Sequence, residues 1–505
     1  MLTSDRSKRH FCLESRAVVP ARSSRHGISC SWHLSRTHAE IPLIRAVQIS
    51  RATSDTSGST NVVVTNLAGK GAPTKEGIQI IEVGGASNGA FSLLSNYKIN
   101  GAGAVVAGAY AYQLYQGSVT TPNDGNWYLR SQLNSTPVDP VNPVDPEQPQ
   151  PTEPATPVQP TKPLYQAGVP SYETYPQALL GLNGVSTLQQ RVGNRFWAGG
   201  GNRVISQGAD AITPYAPPEE AGVHVEGNGV WGRIEGAHNH IESRFSTSGT
   251  DYDQNVFKMQ AGLDGLLTEN ENGTLIGGVF VQYVHGKTKT SSVYGDGEIS
   301  TDGYGVGGTL TWYGNEGFYV DAQAHATWYD SDLSSTLANR GLTDGNDGFG
   351  YALSIESGKR FAINPEWSVT PQGQLVYSSV DFDDFTDSFG APVSLDKGDS
   401  LQGRLGLTLD HETSWQNGNG MTNRSHVYGI ANMYYEFLEG TKVDLAGVSF
   451  ASEKDRLWGG IGLGGSYNWN DDKYSIFGEG IVNTSLNNFG DSYTLKGNVG
   501  FRVKW

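Results

Sequence analysis

Chemistry in this chain would have to come from its histidines, its glycine-rich runs or its acidic clusters, and none of these is spaced for it. His224, His238, His240, His285, His325, His411 and His426 fall on different strands and turns, without the short intervals that bring two imidazoles to one metal ion. The glycines of 303–308 match part of a phosphate-loop pattern, but they precede a strand-like run, so no helix N-terminus would face a phosphate. Asp381, Asp383, Asp384 and Asp387 crowd one stretch and could attract a divalent cation bridging to lipopolysaccharide, although a solvated acidic loop is the favoured reading. No catalytic residue, cofactor site or metal site is assigned, and no enzyme activity is expected.

What the chain is organised to position is plainest in its last stretch, residues 493–505. Tyr493, Leu495, Gly497, Val499, Phe501, Val503 and Trp505 alternate with Thr494, Lys496, Asn498, Gly500, Arg502 and Lys504. A side-chain period of two is the geometry of a β-strand. This run is longer than the usual soluble strand, and one face is apolar and aromatic while the other is polar and basic. A strand of an outer-membrane barrel fits best, with apolar residues toward lipid and polar residues toward the lumen. Tyr493, Leu495, Val499, Phe501, Val503 and Trp505 are the expected lipid-facing set, with the aromatics at the two interfaces.

Composition agrees. Glycine accounts for 66 of 505 residues, with 24 Tyr and 11 Trp, while only 17% of residues are charged. Average glycine usage is about 7%, so this is a β-rich composition. The longest apolar and small run, 102–112, is about half a spanning helix, so only a closed barrel could take this chain across a membrane. Residues 1–50 carry a net charge of +5, which leaves −21 for the remainder of a chain whose total is −16. No nucleic-acid partner is expected of such an acidic chain. Both cysteines, Cys12 and Cys30, lie in that first stretch, so no disulfide or thiolate site supports the main body.

Taken in order, residues 1–53 form an atypical basic segment that lacks the apolar region of a secretory signal. They read as outside any folded domain, the chain being a fragment of a longer protein or these residues a mis-assigned start. From 54 to 133, short β-runs such as 61–65, 77–83 and 91–94 are separated by Gly and Asn turns, as in the coils of a parallel β-helix or in a small sandwich. Between 134 and 164 prolines recur every third residue, the period of polyproline II, and the expectation is a stiff spacer. Residues 165–200 hold the one helical pattern, a helix predicted from Tyr175 to Phe196 with Leu179, Leu182, Val185, Leu188, Val192 and Phe196 at intervals of three and four and an internal cap near Ser186.

From 221 to 505 the alternation of the last stretch recurs. About twelve strands are predicted, near 224–238, 253–267, 273–287, 298–314, 317–330, 347–361, 366–380, 400–412, 424–437, 455–469, 473–485 and 493–505. Tight joints at 314–317, 362–365 and 470–472 alternate with long ones, as periplasmic turns alternate with extracellular loops; the joint at 413–423 is too long for the pattern. Arg233, Glu235, Lys258, Arg404, Lys496 and Arg502 are the expected lumen-facing charges. The fold class is therefore all-β: a 12-stranded antiparallel transmembrane barrel with a luminal helix, preceded by the last coils of a parallel β-helix.

Three stretches also carry a family resemblance. Residues 108–117 (GAYAYQLYQG) and 126–131 (NWYLRS) resemble the C-terminal end of a pertactin-type or AIDA-type autotransporter passenger, a segment that in that family caps the β-helix and helps passenger folding. Residues 187–197 (TLQQRVGNRFW) resemble the segment that autotransporters thread through the barrel, which implies a luminal position for Leu188, Arg191, Val192, Asn194 and Phe196. The terminal aromatic strand is similar to the signal read by the outer-membrane insertion machinery. The resemblance implies type V secretion in the outer membrane of a Gram-negative bacterium, with an adhesin or other virulence factor as the exported passenger. Implied partners are outer-membrane lipid and lipopolysaccharide, the insertion machinery and the chain's own passenger segment, with the barrel a monomer. Some autotransporters cleave the passenger at paired asparagines in this helix; here Asn183 and Asn194 stand apart, so no catalytic residue is carried over. A surface adhesin acting through 54–133 alone, and a plain diffusion porin, are the alternatives.

Overall fold

The computed structural model describes residues 50–66, 69–133, 162–197, 224–225, 227–314 and 316–504. Twelve long strands follow one another as antiparallel neighbours: β1 Gly229–Ile241, β2 Asp251–Asn270, β3 Gly273–Ser291, β4 Gly297–Gly314, β5 Phe318–Ser335, β6 Arg340–Lys359, β7 Trp367–Phe382, β8 Asp399–Gln416, β9 Thr422–Glu436, β10 Leu457–Trp469, β11 Tyr474–Ser485 and β12 Tyr493–Val503. The last pairs with the first, from Val230 opposite Val503 to His240 opposite Tyr493, so the sheet closes on itself and presents no edge. Alternation then sorts the side chains. Leu463, Ile461 and Val279 lie exposed on the outer wall, whereas Thr327, Asp321 and Gln254 are buried within.

The inner wall is fitted together by aromatics lying over glycines of the adjacent strand. Trp231 sits opposite Gly262, Phe280 opposite Gly307, Tyr428 opposite Gly464 and Phe477 opposite Gly500. In each pair a Cβ on the glycine would overlap the ring. The high glycine content thus has a local cause beyond turns: the inner wall needs positions without side chains to receive large rings.

Several strands run past their predicted ends toward one mouth of the barrel, here the outer mouth, so that loops expected at 331–346 and elsewhere are partly strand. There Phe245–Ser246, Val448–Glu453, Thr441–Leu445, Pro392–Lys397 and Phe385–Thr386 make a second, five-stranded antiparallel sheet. At the inner mouth, the joint expected to be too long shrinks to a turn between Gln416 and Thr422, closed by the amide of Asn417 donating to the Met421 carbonyl at 2.8 Å.

The N-terminal domain begins earlier than its composition suggests. Ser50–Ala52 pairs in parallel with Ile81–Val83, so these three residues belong to a fold predicted to start at 54. Ser59–Val63 likewise pairs in parallel with Ala90–Leu94, after which the strands from Tyr97–Ile99 to Trp127–Arg130 turn antiparallel. One stacked coil therefore gives way to an antiparallel cap.

Residues 134–161 lie outside the described residues, but their flanks meet: the amide of Leu133 donates to the Lys162 carbonyl at 2.8 Å and that of Leu164 to the Ser131 carbonyl at 2.9 Å. A segment whose ends are hydrogen-bonded together adds no distance between the domains it joins. The N-terminal domain accordingly rests on the outer mouth, and one apolar core runs from Val105 and Tyr110, through Tyr172 and Leu179, to Val443, Leu445 and Phe450 of the outer sheet.

Candidate functional site

The candidate site is the filled lumen and its outer mouth. Helix α1, Val169–Leu182, enters from the mouth with Pro170 at its first positions, where a missing amide hydrogen costs nothing. All its residues from Val169 to Leu179 are buried, so it is packed on every side and not amphipathic as a surface helix would be. The chain breaks after Asn183 and resumes as the short α2, Leu188–Val192, so the single helix expected over 175–196 is two. Thr187, not Ser186, makes the internal cap, its hydroxyl accepting from the Gln190 amide while the Gln190 side chain accepts from the Thr187 amide.

The break is held in place by the barrel wall. The Asn183 amide nitrogen donates to the Ser378 hydroxyl at 2.8 Å and the Tyr351 carbonyl at 2.9 Å, and its oxygen accepts from the Tyr329 hydroxyl at 3.2 Å. Lys258 donates to the Gly184 carbonyl at 2.7 Å and Gln323 to the Ser186 carbonyl at 2.9 Å. These groups satisfy carbonyls that no helix turn accepts, as buried backbone requires.

Charges carry the remainder of the grip. Arg191 pairs with Asp321 at 2.6 Å, Arg195 with Asp264, and Gln190 donates to Glu479 at 2.6 Å. Arg502 donates to the Val192 carbonyl at 2.7 Å. Glu235 sits between Arg233 at 3.2 Å and Lys496 at 3.1 Å, and Arg404 meets Glu356 at 3.2 Å, which also accepts from the Tyr319 hydroxyl at 2.7 Å and the Leu188 amide at 3.3 Å. The structure therefore places Arg233, Glu235, Lys258, Arg404, Lys496 and Arg502 inside, all within one network around the threaded segment. Leu188 and Val192 pack with Trp231, Ile276 and Phe280, and Asn194 donates to Glu412 at 2.8 Å. Phe196 takes part in a short backbone pairing with Val225. On the outer wall Leu495, Val499 and Phe501 are exposed and Tyr493 and Val503 half-buried, while Trp505 lies outside the described residues.

Sequence reasoning reached Glu235 but not its acidic neighbours. Asp321 sits in the polar set of β5 alternation and was open to detection, Glu173 gave no signal, and Asp387 stood out only as one of an acidic cluster. Glu173 precedes the predicted helix start and accepts from the Thr247 and Ser248 amides at 2.9 and 3.0 Å, tying α1 to the mouth. Asp387 does not belong to a solvated acidic loop as expected. It is 5% exposed and accepts from Gln166 Nε2 and the Tyr172 hydroxyl, both at 2.9 Å, as well as from the Phe389 and Ala391 amides. Among the described residues no group of three or more His, Cys, Asp or Glu is arranged to hold a metal ion. Beside α1 a cavity of about 300 Å³, lined by Gln177, Leu180, Arg404, Tyr434 and Lys454, shows that the helix lies off-centre.

Residues 230–480 match the family described as Autotransporter beta-domain, and residues 48–114 match Autochaperone Domain Type 1. The chain is similar to the Adhesin BmaC autotransporter of Brucella suis biovar 1, at 49% identity over 454 residues, which take in 89% of this chain and 12% of that protein. It is also similar to the Pertactin autotransporter of Bordetella parapertussis, at 27% identity over 254 residues, 48% of this chain and 26% of that one. Among solved structures, the transport unit of AIDA-I from Escherichia coli aligns with a TM-score of 0.49 at 17% identity, covering 66% of this chain and 99% of that one. The chain thus spans a small part of the length of both named relatives.

Proposed function

This chain belongs to the autotransporter family, its barrel being the translocator domain in the outer membrane of a Gram-negative bacterium, and we propose that α1 and α2 are the tail of an exported adhesin left behind as a plug. The observation that carries this reading is a peptide running from the outer mouth through the lumen with its broken backbone met by Lys258, Gln323 and Arg502. Arg233, Glu235, Lys258, Arg404, Lys496 and Arg502 are proposed to hydrate and guide the passing chain before they hold its end. Tyr493, Leu495, Val499, Phe501, Val503 and Trp505 are proposed as the lipid contact and the signal for insertion, with lipopolysaccharide around the outer rim. Adhesion as the passenger's activity is supported by the name of the Brucella relative, and by nothing in residues 50–133 themselves.

Single-channel recording in planar bilayers tests the plug. Deleting 169–192 is expected to raise conductance severalfold over the intact chain. Equal and large conductance in both would replace this reading with an open diffusion pore.

A further inference from the structure

Two imidazoles stand side by side near the outer end of β1. His238 and His240 share the outward face of that strand with the exposed Ile234, whereas Asn239 between them lines the cavity beside α1. We propose that His238 and His240 together bind one late first-row divalent cation, of the Cu²⁺, Ni²⁺ or Zn²⁺ class, on the outer rim of the barrel. This goes beyond the secretion reading and does not depend on it.

An interval of two carries no ligand signal in a sequence by itself. On a helix it would put the two rings on nearly opposite sides. On a strand, residues i and i+2 lie on one face about 7 Å apart. That is close enough for both imidazoles to lean toward one ion at about 2.0–2.1 Å from each nitrogen.

The second contact of each ring turns proximity into a site. Pairing of β1 with β2 sets His238 opposite Asn255 and His240 opposite Asp253. His238 Nδ1 lies 2.9 Å from Asn255 Oδ1, and His240 Nδ1 lies 2.7 Å from Asp253 Oδ1. An amide oxygen and a carboxylate only accept, so both Nδ1 atoms donate and both Nε2 atoms keep a lone pair. Metal-bound histidines are held in the same way, the other ring nitrogen donating to an oxygen that fixes the tautomer and makes the ligating atom more basic. From the opposite side Tyr493 of β12 lies against both rings, its centroid 5.2 Å from that of His240 and 6.1 Å from that of His238. Two neighbouring strands thus brace the pair in advance of any ion. The His240 side chain is 33% exposed, so water reaches it.

Imidazole nitrogen selects late first-row cations over Ca²⁺ and Mg²⁺, which take oxygen ligands. Two protein nitrogens leave the remaining coordination positions to water. His285 supplies the contrast. Its Nδ1 meets Asp302 at 2.9 Å, but the residues two away on its strand, Tyr283 and Lys287, bring no second imidazole.

The test titrates Cu²⁺ alone into the full chain folded in detergent, by calorimetry, with the folding of each variant checked by its migration on unheated gels. His238→Ala and His240→Ala are each expected to weaken the tightest site at least tenfold. Asp253→Asn, which keeps both imidazoles, is expected to weaken it about tenfold, and His285→Ala to leave it unchanged. Should one histidine variant not fold, the other carries the same comparison. Electron paramagnetic resonance of the bound Cu²⁺ should count two imidazole nitrogens, falling to one in either histidine variant. No binding by the unaltered chain, a spectrum with a single nitrogen, or a folded histidine variant that binds as the unaltered chain does would overturn the proposal.

Discussion

Asp387 illustrates how a single carboxylate can report the state of the outer mouth. Burial pushes its carboxyl above the usual value despite four donors aimed at it. A carboxyl held above its unfolded value binds its proton more tightly when folded, so its contribution to stability is fully present below about pH 4 and declines as pH rises through the interval above that. Protection of the 164–172 amides from hydrogen exchange, expressed as protection factors, should therefore fall as pH is raised from about 4 toward neutrality, and Asp387→Asn should flatten that slope. Arg191 offers a second test in the lumen. Arg191→Leu leaves Asp321 buried without its partner, at a cost of about 3–5 kcal/mol, and should lower the temperature at which the folded band converts on unheated gels. Adding Asp321→Leu should recover much of the loss. At this scale legibility was uneven. Arg233 and Lys258 were visible because each falls on the polar side of a strict alternation, whereas Asp387 sits in an irregular stretch whose acidic composition suggested water, and only the arrival of Gln166 and Tyr172 from more than two hundred residues away makes it a buried acceptor.

Elements were legible in proportion to their regularity. A strand in a barrel has two distinct faces and no freedom to slip, so alternation alone located all twelve to within a few residues at the inner turns. The ends at the outer mouth were not visible, because beyond the membrane both faces become polar and the period fades although pairing continues. The luminal helix was visible as a pattern but not as two pieces, since Asn183 and Gly184 break it for reasons supplied by the wall and not by local preference. The inner wall makes its own demand on composition. Gly500→Val would drive a side chain into the Phe477 ring, an overpacking cost of about 1–3 kcal/mol, and should yield less folded barrel in membranes with no change in synthesis. Phe477→Ala in the same chain should restore assembly in part.

For the whole molecule, the outer wall and the inner wall answer to different solvents. Leu463→Arg, on the exposed face of β10, should cost about 2–4 kcal/mol if it lies near the bilayer centre and should abolish recovery of folded protein from membranes. Fold class was readable in advance because the bilayer imposes a repeating rule on the chain. The seat of the N-terminal domain was not, since the proline period describes what a segment is like when free and carries no record of where its two ends go. The seam joins β1 to β12, and β12 is made after the other eleven strands and everything upstream of them, so the passage cannot exist until what is destined to traverse it has already been made. At roughly 5–20 residues per second the barrel takes on the order of tens of seconds to synthesise, and throughout that interval residues 50–133 cannot yet have passed through it.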